Sequence, residues 1–117
     1  MSLQLQISNQ GEALIVRLQG ELDHHTSELL KTKMENAIEQ EGSNHIVLVL
    51  QDLSFMDSSG LGVILGRYKQ ITNKGGKMVV CNVSPSIYRL FEMSGLFKIL
   101  TIEEDVEQAL SSLGVVS

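Results

Sequence analysis

The sequence predicts an α/β protein: a mixed sheet of four or five strands, opening with an antiparallel hairpin and continuing with parallel central strands, flanked by about four helices. Three observations predict it. Two runs near the start alternate apolar with polar residues and are separated by Asn9-Gln10-Gly11. Residues 46–50 form an unbroken apolar run rich in β-branched side chains, suited to a strand covered by helices on its faces. Beyond it, stretches of helical period alternate with short apolar segments.

In the first run Leu3, Leu5 and Ile7 alternate with Gln4, Gln6 and Ser8; in the second, Leu14, Val16 and Leu18 repeat the pattern. A short glycine-containing turn makes the pair a hairpin at a sheet edge, with one face in water and Gly20 as its expected end. A first helix follows, with Thr26 as N-cap, Leu30, Met34, Ala37 and Ile38 on one face, and Gly42 as its stop. The 46–50 run is then the central strand. A second helix is expected from Asp57-Ser58-Ser59 to about Asn73, where Asn73-Lys74-Gly75-Gly76 breaks it.

Residues 78–81 read as a short buried strand. Ser84 followed by Pro85 starts a third helix that should end at Ser94, before Gly95. Phe97, Ile99 and Ile102 suggest a last strand, and Thr101-Ile102-Glu103-Glu104 matches a capping box for a closing helix built on Val106, Ala109, Leu110 and Leu113. No repeat, linker or low-complexity segment interrupts the chain, so residues 1–117 are expected to form a single domain.

The 117 residues are 43% hydrophobic and 20% charged, with one proline, which is the composition of a folding core rather than of disorder. A net charge of −5 argues against direct binding to nucleic acid or to anionic lipid. No apolar run is long enough to insert into a membrane, and the first residues lack the basic and apolar parts of a signal peptide. A single cysteine, Cys81, rules out a disulfide framework and suits a reducing compartment; the expected location is the cytoplasm. Cys81 ends a buried strand with no basic neighbour in sequence and is assigned no chemistry.

The segment Phe55-Met56-Asp57-Ser58-Ser59-Gly60-Leu61-Gly62 lies where a buried strand hands over to a helix, the place where α/β proteins put functional groups. One reading is an Asp or Ser that caps the free N–H groups of the helix. The other is an exposed hydroxyl whose phosphate would lie beside those N–H groups, with Ser58 the better placed of the two serines. Enzyme templates fail here. Leu65 stands where a dinucleotide fingerprint needs glycine, no Gly-Lys-Ser/Thr follows, and neither serine has glycine two residues before it. His24, His25 and His45 are too few and too poorly spaced for a metal site or a Ser-His pair. No catalytic residue, cofactor or metal is expected.

Leu61, Ile64, Leu65, Tyr68 and Ile71 share one face of the second helix, leaving Gly62, Val63 and Gly66 off it. Each interior glycine costs about 1 kcal/mol relative to alanine. Either the glycines let a neighbouring helix pack closely, or they form a smooth strip beside Ser58 for a partner backbone.

The motifs Gly20-Glu21-Leu22-Asp23, 53–62 and Phe91-Glu92-Met93-Ser94-Gly95-Leu96 together resemble the bacterial anti-sigma-factor antagonists of the STAS domain family, over nearly the whole chain. The continuation through Val63-Ile64-Leu65-Gly66-Arg67-Tyr68-Lys69 is most similar to the sporulation members. The resemblance implies a substrate and switch rather than an enzyme. Ser58 would be phosphorylated by an anti-sigma factor that is itself a serine kinase, and a serine phosphatase would reverse the mark. The unphosphorylated form would bind the kinase and displace its sigma factor. Asp23 matches the loop acid near the phosphorylation site, and the partner surface is expected to comprise Asp23, Asp57, Ser58, Ser59, Gly60, Gly62, Val63 and Gly66. A general-stress antagonist of the same fold is the nearest alternative, and a nucleotide-binding or hydrolytic enzyme the distant one.

Overall fold

The computed structural model describes residues 2–115. Its elements run β1 (Leu3–Gln10), β2 (Ala13–Leu22), α1 (Ser27–Glu41), β3 (His45–Met56), α2 (Ser58–Asn73), β4 (Lys77–Cys81), α3 (Pro85–Ser94), a 3-10 turn over Leu96–Lys98, β5 (Thr101–Glu103) and α4 (Val106–Ser112). The five strands form one sheet in sequence order, antiparallel between β1 and β2 and parallel thereafter. The predicted mixed sheet, its edge hairpin and its central 46–50 run are all present.

Each parallel strand is added on the same side of its predecessor, so right-handed crossovers place all the connecting helices on one face. On that face Val16, Ile46, Leu48 and Val80 meet Leu30 and Met34 of α1, Ile64 and Ile71 of α2, and Phe91 of α3. The alternate residues Ile15, Val47, Val49 and Val79 form a second cluster with Ala109 and Leu110 of α4. Burial on both faces explains the unbroken apolar run in β3. At the edge, β1 keeps one wet face: Gln4, Gln6 and Ser8 are exposed while Leu3 is buried.

Local capping chemistry fixes α3 at the predicted bounds. Ser84 Oγ accepts from Ile87 N–H at 3.3 Å, Pro85 occupies the first turn, and Gly95 takes a left-handed φ of 81°.

Elsewhere the structure corrects the pattern. The hairpin pairing ends at Gly20, opposite Leu3, as expected, but Gly20 does not end its strand. Strand β2 continues to Leu22 through register shifts on both sides of it, and at φ 108° a Cβ on Gly20 would run into the Ser2 carbonyl. Strand β3 likewise runs past Leu50 to Met56, paired only with β2 beyond Val49, where β4 ends. Those seven extra residues carry the start of α2 roughly 20 Å past the end of β4, at about 3.3 Å per residue.

Phe97 and Ile99 are not in a strand: the chain turns in a 3-10 helix after Gly95, which buries Leu96 and Leu100 and leaves Phe97 and Ile99 exposed. The capping box is not formed, because Thr101 pairs with Val79 in the sheet and Asp105 caps α4 instead, accepting from Gln108 N–H at 2.8 Å. On α2 the buried stripe is Gly60, Ile64, Arg67 and Ile71, turned from the predicted face so that Leu61, Leu65 and Tyr68 are only half-buried.

Candidate functional site: the Ser58 corner and the groove beside it

Parallel pairing brings the ends of β2 and β3 together. Leu22 is in register with Met56, and Asp57 N–H donates to the Leu22 carbonyl at 3.2 Å, so the loop from Asp23 lies beside the start of α2. Asp57 is the N-cap: its Oδ1 accepts from Ser59 N–H at 2.9 Å and from Gly60 N–H at 3.3 Å. Capping and exposure, the two readings of this segment, thus fall to different residues. Ser58, the first residue of α2, is exposed, and its hydroxyl makes no hydrogen bond among the described residues. Ser59 is half-buried one position on.

Asp23 is 4% exposed and organises its loop. Its Oδ1 accepts from His25 N–H at 2.8 Å and Thr26 N–H at 3.0 Å, while its carbonyl accepts from Ser27 Oγ at 2.6 Å. Burial acts to raise the pKa of this carboxyl, but the backbone N–H groups of Thr26 and His25 outweigh it and hold the group below its ordinary value. Its Oδ2 is buried without a partner among the described residues. Thr26 holds the predicted cap position of α1 but does not cap it; its hydroxyl accepts from Asp23 N–H and donates to the Glu21 carbonyl at 2.8 Å.

The glycines of α2 divide. A Cβ on Gly60 would lie 2.8 Å from side-chain atoms of both Leu22 and Met56, so Gly60, expected on the partner surface, is turned into the core and serves packing. A Cβ on Gly62 or Gly66 would meet nothing within 4 Å. Close helix packing therefore does not explain these two. Both line a groove of about 450 Å³ between α1 and α2, together with Ser59 and half-buried Val63. The α1 side contributes His24, Glu28 and Lys31, and Arg67 of α2 lines it as well. None of these four was expected on the partner surface from sequence, where His24 was weighed only as a metal ligand or base. For Arg67 the usable signal was the spacing Gly60, Ile64, Arg67, Ile71, which marks one helical face.

Among the described residues no three His, Cys, Asp or Glu side chains converge as a metal site would require. Cys81 is buried, and desolvation pushes its thiol up to about 11, which leaves it unreactive at neutral pH. No helix of the described residues is long and apolar enough to cross a membrane.

An edge hairpin, parallel strands with their connecting helices on one face and an exposed serine at a capped strand-to-helix corner define a STAS domain. The model of that family matches residues 4–109, and the chain belongs to it. Within the family it is similar to a protein named Anti-sigma F factor antagonist from Paenibacillus polymyxa, 56% identical over 117 residues and covering 100% of both chains. A protein named Anti-sigma-B factor antagonist from Bacillus subtilis (strain 168) is 32% identical over 107 residues, 92% of this chain and 96% of that one. The solved structure of the Bacillus cell fate determinant SpoIIAA in the phosphorylated form aligns with a TM-score of 0.71 at 35% identity, covering 95% of this chain and 98% of that one. The resemblance to anti-sigma-factor antagonists carried by the sequence motifs is borne out.

Proposed function

We propose that this chain is an anti-sigma-factor antagonist controlled by phosphorylation of Ser58. In its unphosphorylated form it binds an anti-sigma-factor serine kinase in the cytoplasm and releases the sigma factor which that kinase holds. Phosphorylation of Ser58 by the same kinase ends the binding, and a serine phosphatase restores it. The chain is a phosphoacceptor and catalyses nothing itself. The observation that carries this reading is the division of labour at the corner: Asp57 takes the capping bonds, so the Ser58 hydroxyl stands exposed and unengaged. The partner surface comprises Asp57, Ser58, Ser59, Gly62, Val63 and Gly66; Asp23, expected on it, is buried and shapes the loop beside it.

Electrostatics supports a switch that needs little refolding. Phosphate adds a charge of about −1.5 to −2 on the exposed side of Asp57, in a chain already at −5. Burying it in a dry interface without a new cation would cost on the order of 3–5 kcal/mol, or roughly a hundredfold to several thousandfold in affinity. Identity of 56% to a sigma-F antagonist against 32% to a sigma-B antagonist favours the sporulation role over the general-stress one. The test is incubation with candidate kinases of each class and ATP, followed by site-resolved mass spectrometry. Labelling of Ser58 by the sigma-F-type kinase supports the proposal. ATP turnover by the chain alone would replace it with the enzyme reading.

A further inference from the structure

The groove beside the Ser58 corner contains a charged side chain whose hydrogen-bonding capacity the fold meets only in part. Arg67 is only 7% exposed. Its one ion pair among the described residues, Nη2 to Glu35 Oε2, is 3.4 Å long, and the Glu35 side chain is 40% exposed. Arg67 Nε and Nη1 are buried and donate to no acceptor among the described residues. A guanidinium offers five N–H donors in a planar fork, and burying it with donors unmet is costly. The other inward positions of α2 are Gly60, Ile64 and Ile71, so an apolar side chain would suit the interior better. The ion pair to Glu35 of α1 uses one nitrogen and leaves two without acceptors, so packing within the chain accounts for an arginine here only in part; it also lines the same space as Ser59, Gly62 and Gly66, and that space is open above both glycines.

We propose that this groove is an acid-binding subsite of the partner surface, in which Arg67 receives a carboxylate side chain of the anti-sigma-factor partner while the partner backbone settles over Gly62 and Gly66. The proposal rests on the partner reading above. Charge favours that occupant. The groove lining carries Lys31 and Arg67 against Glu28, and with Glu35 on Arg67 the charges balance, in a chain whose net charge is −5, so the groove is less acidic than the chain as a whole. A carboxylate entering there gives the guanidinium fork the acceptor that the long contact to Glu35 does not. Arg67 lies nine positions beyond Ser58, roughly 13 Å along the helix at about 1.5 Å per residue, too far to neutralise a phosphate on Ser58. Anchor and switch are therefore separate contacts on one helix: a phosphate on Ser58 opposes docking at the corner and does not compete with the partner carboxylate for Arg67.

The experiment titrates wild type, Arg67→Met and Arg67→Lys against the purified cognate anti-sigma-factor kinase with ADP present, so that no phosphoryl transfer intervenes, and records thermal melts in parallel. Arg67→Met is expected to weaken binding by at least about tenfold while its melting temperature holds or rises. Arg67→Lys, which keeps the charge and loses the fork, should recover part of the affinity. In the wild-type complex the Arg67 Nε–H resonance should move. Variants that bind like wild type, or an Nε–H signal unchanged by the partner, would overturn the subsite. Should Arg67→Met fail to fold, the wild-type resonance decides alone. A wild-type chain that does not bind the kinase at all would remove the partner reading and the subsite with it, a result distinct from equal binding by wild type and variants.

Discussion

Gly60 rests directly on Leu22: a Cβ there would stand 2.8 Å from Leu22 Cγ. This contact seats the first turn of α2 against the end of β2 and so fixes where Ser58 points. Gly60→Ala should cost about 1–2 kcal/mol net, because overpacking of about 1–3 kcal/mol exceeds the gain in helix propensity. The melting temperature should fall by several degrees, at about 4 °C per kcal/mol.

Gly66 behaves oppositely. With nothing within 4 Å of its Cβ position, Gly66→Ala should stabilise the chain by about 0.5–1 kcal/mol. If the strip faces a partner, the new methyl group should also weaken kinase binding, so that stability and affinity move apart. A melting curve and a binding titration on the same variant check both. A less stable protein whose folded fraction binds normally would take Gly66 out of the interface.

Asp57→Ala removes the acceptor for Ser59 and Gly60 N–H and should destabilise the chain by about 1 kcal/mol, the usual value of an N-cap. Asp57→Asn, which keeps an acceptor oxygen, should recover most of it. Denaturant unfolding of the two variants measures the difference.

The lowered pKa of Asp23 has a defined sign. Folded chains hold this proton less tightly than unfolded ones, so its contribution is full above the unfolded carboxylate value of about 3.9 and is lost as pH falls through the folded value. Wild type should therefore lose more stability between about pH 5 and about pH 3 than Asp23→Asn does, as melts at the two pH values would show.

Much of this was legible in sequence because the determinants are local. Ser84, Pro85 and Gly95 write the ends of α3 into neighbouring residues, and the 46–50 run announces a strand covered on both faces. Capping and an exposed hydroxyl were the two readings of the 55–62 segment, and the hydrogen bonds gave the cap to Asp57 and left Ser58 exposed. What was hidden depends on distant partners. Gly60 and Gly62 are alike in sequence, and only the approach of Leu22 and Met56 makes one a packing residue. Phe97 and Ile99 have the spacing of a strand, but the left-handed Gly95 and the burial of Leu96 and Leu100 turn the chain into a 3-10 helix first. Arg67 reads as a surface residue until α1 packs over it.

Site-resolved mass spectrometry after incubation with the cognate anti-sigma-factor kinase and ATP, on wild type, Ser58→Ala and Ser59→Ala, tests the central claim most directly. One phosphate, on Ser58, is expected in wild type and Ser59→Ala, and none in Ser58→Ala, which still binds the kinase because no bulk or charge has been added. A phosphate that persists in Ser58→Ala and vanishes in Ser59→Ala would contradict it.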